Sequence, residues 1–270
     1  MNPTIGALQQ HSQLDALDNR VLLCYALGIN RIALITQSER VLSDGELQRY
    51  SALVQRRLDG EPIAYIVGQR EFFGLPFEVS SAVLIPRPDT ELLVELTLER
   101  TPVRGRVLDM GTGSGAIAVS VAHNRADADV TALDVSDAAL AVAQRNADTN
   151  QARVSFLRSD WYTALADAPR FDVIAANPPY IASGDHHLSE GDLRYEPVGA
   201  LTDHADGLSA LRIIIAGAPA HLKPQGWLLM EHGYDQAEQV RALLSAAGYA
   251  EVQSWRDLAG IERVSGGKTG

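Results

Sequence analysis

The chain has 270 residues, 46% hydrophobic and 21% charged, which suits one large and one small domain with full cores. A single cysteine, Cys24, excludes an internal disulfide and a cysteine-cluster metal site, and no apolar run approaches the ~20 residues of a membrane span. With 34 acidic against 23 basic side chains the net charge is −11, which weighs against a nucleic-acid substrate, because such binding rests on neutralising phosphates.

Residues 1–75 read as helical. Leu14, Leu17, Val21, Leu22 and Tyr25 recur at helical spacing until Gly28 interrupts. Ser43-Asp44-Gly45-Glu46 fits a capping box and opens a second amphipathic run through Leu47, Tyr50, Leu53, Val54 and Leu58, stopped by Gly60-Glu61-Pro62. No basic stretch followed by an apolar one lies between Met1 and Gln13, so a cytoplasmic protein is expected. From Tyr65 to Ile85 the texture becomes strand-like around Gly74-Leu75-Pro76, predicting a β-hairpin, with the linker placed at 76–92. Pro86-Arg87-Pro88 forces an extended entry, and Asp89-Thr90-Glu91 offers a cap for a helix from Leu92 to Arg100.

Residues 93–270 alternate short apolar strands with helices. Strands are predicted at Arg106 to Met110, Val130 to Asp134, Val154 to Leu157, Phe171 to Ala176, Trp227 to Glu231, and near Val252 and Arg263. Helices fall at Ala116 to His123, after Ser136, near Leu208 to Ala218 and from Gln236 to Ala247. This alternation specifies an α/β domain with a mostly parallel sheet. The ending Gly266-Gly267-Lys268-Thr269-Gly270 resembles half a phosphate loop without its first glycine and is read as a flexible end.

Two clusters carry chemistry. Val107-Leu108-Asp109-Met110-Gly111-Thr112-Gly113-Ser114-Gly115 ends one strand and opens a helix, where glycines let a ligand approach the backbone. Asp109 stands two residues before the first glycine; a pyrophosphate would not welcome it, whereas a ligand bearing an ammonium and a sulfonium would. Asp134 ends the next strand, where a carboxylate takes ribose hydroxyls, and Ser159-Asp160-Trp161 offers an aromatic face to an adenine. The set Gly111, Thr112, Gly113, Ser114, Gly115, Asp134 and Trp161 therefore predicts S-adenosyl-L-methionine, leaving as S-adenosyl-L-homocysteine.

Asn177-Pro178-Pro179-Tyr180 follows the fourth strand and should face that ligand. The prolines stiffen the backbone and leave its carbonyls as acceptors, Asn177 adds a side-chain oxygen, and Tyr180 supplies a flat face. Acceptors beside a stacking face suit a planar –NH₂ group, either a carboxamide or an amino-purine. Its nitrogen is a poor nucleophile that two acceptors would orient for attack. Asn177, Pro178 and Tyr180 are thus the catalytic candidates, with Pro179 completing the acceptor site. His186, His187, Glu190 and Asp192 lack metal-ligand spacing, so no metal is expected; Ala182 to Tyr195 reads as a mobile loop near the acceptor site.

Several stretches resemble the bacterial release factor N5-glutamine methyltransferase family. They are the Asn-Pro-Pro-Tyr tetrapeptide, Gly60-Glu61-Pro62-Ile63-Ala64-Tyr65-Ile66, Glu71-Phe72-Phe73-Gly74-Leu75-Pro76-Phe77 and Leu84-Ile85-Pro86-Arg87-Pro88-Asp89-Thr90-Glu91. The likeness runs from about Leu14 to Val264, and only the ending departs from it. It implies a Rossmann-like class I S-adenosylmethionine methyltransferase domain at 93–270, a β-hairpin linker, and a helical domain at 1–75 that helps grip the substrate. It further implies methylation of the glutamine in the Gly-Gly-Gln motif of class-1 peptide chain release factors. Cofactor contacts map onto Gly111 to Gly115, Asp134, Trp161 and Asn177, and glutamine binding onto Asn177 to Tyr180. A monomer is expected, with no membrane or direct nucleic-acid partner. Two alternatives stand beside this reading: a sister family acting on a ribosomal-protein glutamine, whose segment matching Pro86 to Glu91 usually differs, and adenine-N6 methyltransferases.

Overall fold

A computed structural model describes residues 2–270 apart from the side chains of His187 and Ser189. Met1 and the expectation concerning the His187 side chain therefore lie outside the described residues. Two compact units divide the chain, Met1–Gln69 and Arg70–Gly270. No helix among the described residues is long and apolar enough to cross a membrane.

The first unit holds α1 (Ile5–Gln10), α2 (Ala16–Leu27), α3 (Arg31–Thr36), α4 (Asp44–Leu58) and α5 (Ile63–Val67). The capping box at α4 is present: Ser43 Oγ accepts from Glu46 N, and the Glu46 carboxylate accepts from Ser43 N. Ile5, Leu22, Leu23, Leu34, Leu42, Tyr50 and Ile66 form the core. On α2 the inward face differs from the predicted stripe. Leu17 and Tyr25 are 56% and 53% exposed, and Asn19, Leu22, Leu23 and Ala26 point inward instead. Asn19 disguised that face, being polar yet buried; its Nδ2 donates to Leu8 O and its Oδ1 accepts from the Tyr50 hydroxyl at 2.6 Å.

The hairpin strands β1 (Gln69–Phe72) and β2 (Leu75–Glu78) begin before the expected 76–92 linker and reach only its first three residues, and the helical unit ends at Gln69 rather than residue 75. The reason is where the aromatics go. Phe72 and Phe77 are buried in the core of the second unit, and Glu78 N and O pair with the Asn146 side chain. Residues 88–90 form a 3-10 turn that leads into α6 (Glu91–Arg100). Thr90 does not cap α6 with its side chain, because its hydroxyl is used elsewhere.

The main sheet contains β3 (Arg106–Met110), β4 (Asp129–Asp134), β5 (Val154–Arg158), β6 (Phe171–Ala176), β7 (Leu222–Glu231), β8 (Ala250–Arg256) and β9 (Glu262–Lys268). They are connected by α7 (Ala116–Asn124), α8 (Asp137–Thr149), the single turn α9 (Val198–Leu201), α10 (Ser209–His221) and α11 (Ala237–Ala246), with 3-10 turns at His186–Ser189 and Leu193–Tyr195. The strand order is β5-β4-β3-β6-β7-β9-β8; all neighbours are parallel except β9, which is antiparallel to β7 and β8.

Alternate residues of the central strands enter opposite cores, as strands buried on both faces must. Val107, Val173, Ala175 and Leu229 join the α6 and α7 side. Leu108, Met110, Ile174, Ala176, Leu228 and Met230 join the α10 and α11 side. The glycine-rich ending is a strand, correcting the expectation of a flexible end. Gly266 pairs with Leu229 and Gln253, and a Cβ there would stand 2.4 Å from Leu228 O, so only a glycine fits between the two neighbours.

Candidate active site

The strand order reverses between β3 and β6, and open α/β sheets bind ligands beyond the carboxyl ends of strands at such a point. Register brings the carboxyl ends level. Met110 pairs with Leu133 on one side and Ala176 on the other, Asp134 pairs with Arg158, and Ala176 pairs with Met230. Gly111, Ser159 and Asn177 therefore leave the sheet along one edge, with Asp134 closing β4 and Glu231 closing β7 among them. Above that edge lies a cavity of about 400 Å³. Gly111, Thr112, Gly113, Ser114, Asp134, Trp161, Asn177, Pro178 and Pro179 all line it.

The glycine loop is held from two sides. Thr112 N donates to Leu133 O at 2.8 Å, and Gly113 N donates to Asp134 Oδ2 at 2.9 Å. Asp134 Oδ1 meanwhile accepts from Ser136 N at 2.9 Å. Ser136 itself caps α8, accepting from Ala139 N, so Asp134 braces both the loop and the next turn. Each carboxylate oxygen keeps a further lone pair for a ligand hydroxyl. Gly111 and Gly113 sit at φ 72° and 56°, and a Cβ on either would meet no protein atom within 4 Å. Such a glycine cradle, a carboxylate beyond the adjacent strand and the half-buried Trp161 fit an adenosyl ligand.

Two predicted residues do not line the cavity. Gly115 turns its Cα toward α8, where a Cβ would lie 3.1 Å from Ala143 Cβ, so it serves helix packing. Tyr180 donates its hydroxyl to Glu231 Oε1 at 3.3 Å, away from the cavity lining, where an open stacking face was expected. Asp109 is also not a ligand group. It is fully buried, with Oδ2 accepting from Thr112 Oγ1 at 2.6 Å and Ala118 N at 3.1 Å. It ties the glycine loop to α7.

Burial pushes the Asp109 carboxyl up to about 7 from 3.8, against the opposing hydrogen bonds from Thr112 and Ala118. Between those values the unfolded chain is ionised while the folded one retains its proton, so unfolding releases a proton. This group's contribution must then destabilise the fold progressively as pH rises from about 4 to 7. An Asp109→Asn variant is expected to flatten that decline by a few kcal/mol in urea titrations at pH 4.5 and 7.5. Equal pH dependence in the two proteins would refute it.

Several residues at the site have no role assigned by the motif reading. Arg87 lines the cavity and forms an ion pair with Glu196, a nearly buried carboxylate whose other oxygen accepts from Ile85 N at 3.1 Å. Burial raises the Glu196 pKa, and Arg87 opposes the rise. This pair joins the 85–87 stretch to Pro197, Gly199 and Ala200 on the cavity wall. Glu91, in contrast, braces the hairpin by accepting from Phe73 N at 2.9 Å. Thr90 lines the cavity and accepts from Asn177 Nδ2 at 3.2 Å. Gln236 donates to Tyr180 O and Gly207 O, fixing the end of the tetrapeptide backbone. A polar residue ending an apolar strand was the available signal for Glu231, as it was for Asp134.

The seven-stranded sheet with one antiparallel insertion, together with this glycine loop, defines a class I S-adenosylmethionine-dependent methyltransferase. Two family models match the sequence: the methyltransferase small domain over residues 87–191 and the PrmC N-terminal domain over 4–68. A release factor glutamine methyltransferase of Burkholderia pseudomallei is 56% identical, with 98% of this chain and 96% of the relative covered. Another from Neisseria gonorrhoeae is 50% identical, covering 95% and 94%. The chain belongs to the release factor glutamine methyltransferase family. Among solved structures, a methyltransferase from Pyrococcus furiosus shares the fold at TM-score 0.56 and 22% identity, covering 82% of this chain and 99% of that one.

Proposed function

We propose that this chain methylates the N5 side-chain nitrogen of the glutamine in the Gly-Gly-Gln motif of class-1 peptide chain release factors, working as a monomer in the cytoplasm. The observation carrying the reading is the placement of Asn177-Pro178-Pro179 level with the glycine loop at one cavity. Bound there, S-adenosylmethionine supplies an electrophilic methyl group and leaves as S-adenosylhomocysteine.

Gly111 to Ser114 would present backbone to that ligand, Asp134 would receive its ribose hydroxyls, and Trp161 would cover its adenine. The Asn177 side chain adopts a fixed sense: because Nδ2 donates to Thr90 Oγ1, Oδ1 is left to accept. Oδ1 and the Pro178 carbonyl accept the two amide hydrogens of the glutamine, orienting its nitrogen lone pair at the methyl group. As the N–C bond forms, those acceptors stabilise the positive charge building on nitrogen, and water takes the released proton afterward. The helical unit helps grip the release factor.

Incubating unmethylated release factor with the protein and S-adenosylmethionine should add one methyl group, ~14 Da in mass, to the Gly-Gly-Gln glutamine. Transfer instead to a ribosomal-protein glutamine or to adenine would overturn the substrate assignment and leave the cofactor site standing.

A further inference from the structure

Glu231 lies beneath the acceptor tetrapeptide and is used by nothing in the reaction described so far. It ends β7 one residue beyond Met230, the partner of Ala176, and so stands level with Asn177 while pairing with Val264 of β9. The residue is 1% exposed. Its Oε1 accepts from the Tyr180 hydroxyl at 3.3 Å, while Oε2 is buried with no hydrogen-bond partner among the described residues. The Thr90 hydroxyl faces the same carboxyl and also receives Asn177 Nδ2.

A buried carboxyl with an unsatisfied oxygen is costly, and an apolar side chain of similar size would fill the space more favourably. Packing alone therefore does not account for an acid here. We infer that Glu231 is a positioning residue for methyl transfer, holding Tyr180 through its hydroxyl and so fixing the angle at which the tetrapeptide meets the cavity. The inference rests on the methyl-transfer reading above.

Several charged and polar groups face Glu231. Burial raises its pKa to about 7; the nearby Asp89 reinforces the rise, and the Thr90 and Tyr180 hydroxyls and Arg263 oppose it. Arg263 is itself shared with Asp89 and Asp257. His232, the next residue along, is buried with both ring nitrogens engaged, by Gly233 O and Ser265 Oγ. An ionised Glu231 is the stronger acceptor for Tyr180. Protonation below about 7 should loosen the anchor, so turnover should fall on the acid side.

The test compares the parent chain with Glu231→Gln, Tyr180→Phe and the double variant. Both single variants should lower kcat about 10- to 100-fold on release factor, with affinity for S-adenosylmethionine within about twofold. Because they break one anchor, the double variant should be no slower than the worse single. The acid limb of kcat should vanish in both. Tyr180→Phe leaves the buried carboxyl in place and carries the test alone should Glu231→Gln fail to fold. Without any substrate, the ¹³C signal of labelled Tyr180, identified by its loss in Tyr180→Phe, should titrate near pH 7. In Glu231→Gln it should not. Multiplicative losses in the double variant, or a Tyr180 signal indifferent to residue 231, would overturn the inference. A parent chain that modifies no release factor would strike only the substrate reading, since the Tyr180 signal still decides the anchor.

Discussion

Replacing Asn177 with alanine is expected to slow methyl transfer about 10²- to 10³-fold while leaving S-adenosylmethionine affinity within about threefold. The argument follows from the hydrogen bond that fixes the side chain. Asn177 Nδ2 is committed to Thr90 Oγ1 at 3.2 Å, so the amide cannot turn its donor into the cavity without losing that bond. Oδ1 is thereby offered to the incoming glutamine before binding, and no reorganisation is needed as charge grows on nitrogen. Alanine removes the acceptor but no part of the glycine loop. Single-turnover mass spectrometry of the release factor, with calorimetry for the cofactor, separates the two quantities. Parallel loss of both would mean that Asn177 acts mainly in cofactor binding; unchanged transfer would remove the tetrapeptide from the acceptor site.

Asp134→Ala should have the reverse profile, weakening S-adenosylmethionine binding by about 10²-fold, or ~2.7 kcal/mol. This carboxylate does two things. Its oxygens hold Gly113 N and Ser136 N, each at 2.9 Å, and the residue itself lines the cavity. Losing charge-assisted hydrogen bonds to both loop and ligand costs roughly 1.5–3 kcal/mol for each bond not replaced by water. Isothermal titration of the variant with S-adenosylhomocysteine measures the effect directly. A Kd within threefold of the parent would show that Asp134 only braces the loop.

Much of the site was legible in the sequence because its residues follow a simple rule: apolar strand, then a polar residue or glycine at the carboxyl end. Gly111, Asp134, Ser159 and Asn177 all fall where β3, β4, β5 and β6 stop, and period and composition alone locate those strands. Strands β3 to β6 were found within a residue, whereas β7 was read from Trp227 and begins at Leu222, because Lys223-Pro224-Gln225-Gly226 interrupts its apolar run.

The less legible features depend on contacts distant along the chain. Glu196 reads as one of many acidic loop residues until its ion pair with Arg87 is seen. Nothing in the sequence shows that the Tyr180 hydroxyl meets Glu231, which comes from another strand. Asp109 looks like a ligand group because its neighbours are; only its burial under Thr112 and Ala118 assigns it to the loop itself. The ending was misread for a related reason: glycines signal looseness locally, but here Gly266 permits the close approach of neighbouring backbone.

That insertion of β9 between β7 and β8 constrains the order of folding. As the chain is synthesised, β8 emerges first yet reaches the main sheet only through β9. Until residues 262–268 arrive, β8 has no docking strand and β7 presents an open edge, and with it the strand that ends in Glu231. An unpaired parallel edge is a template for intermolecular pairing. The nascent chain therefore passes through an interval in which the glycine-loop half is able to fold, while the acceptor half depends on protection from aggregation.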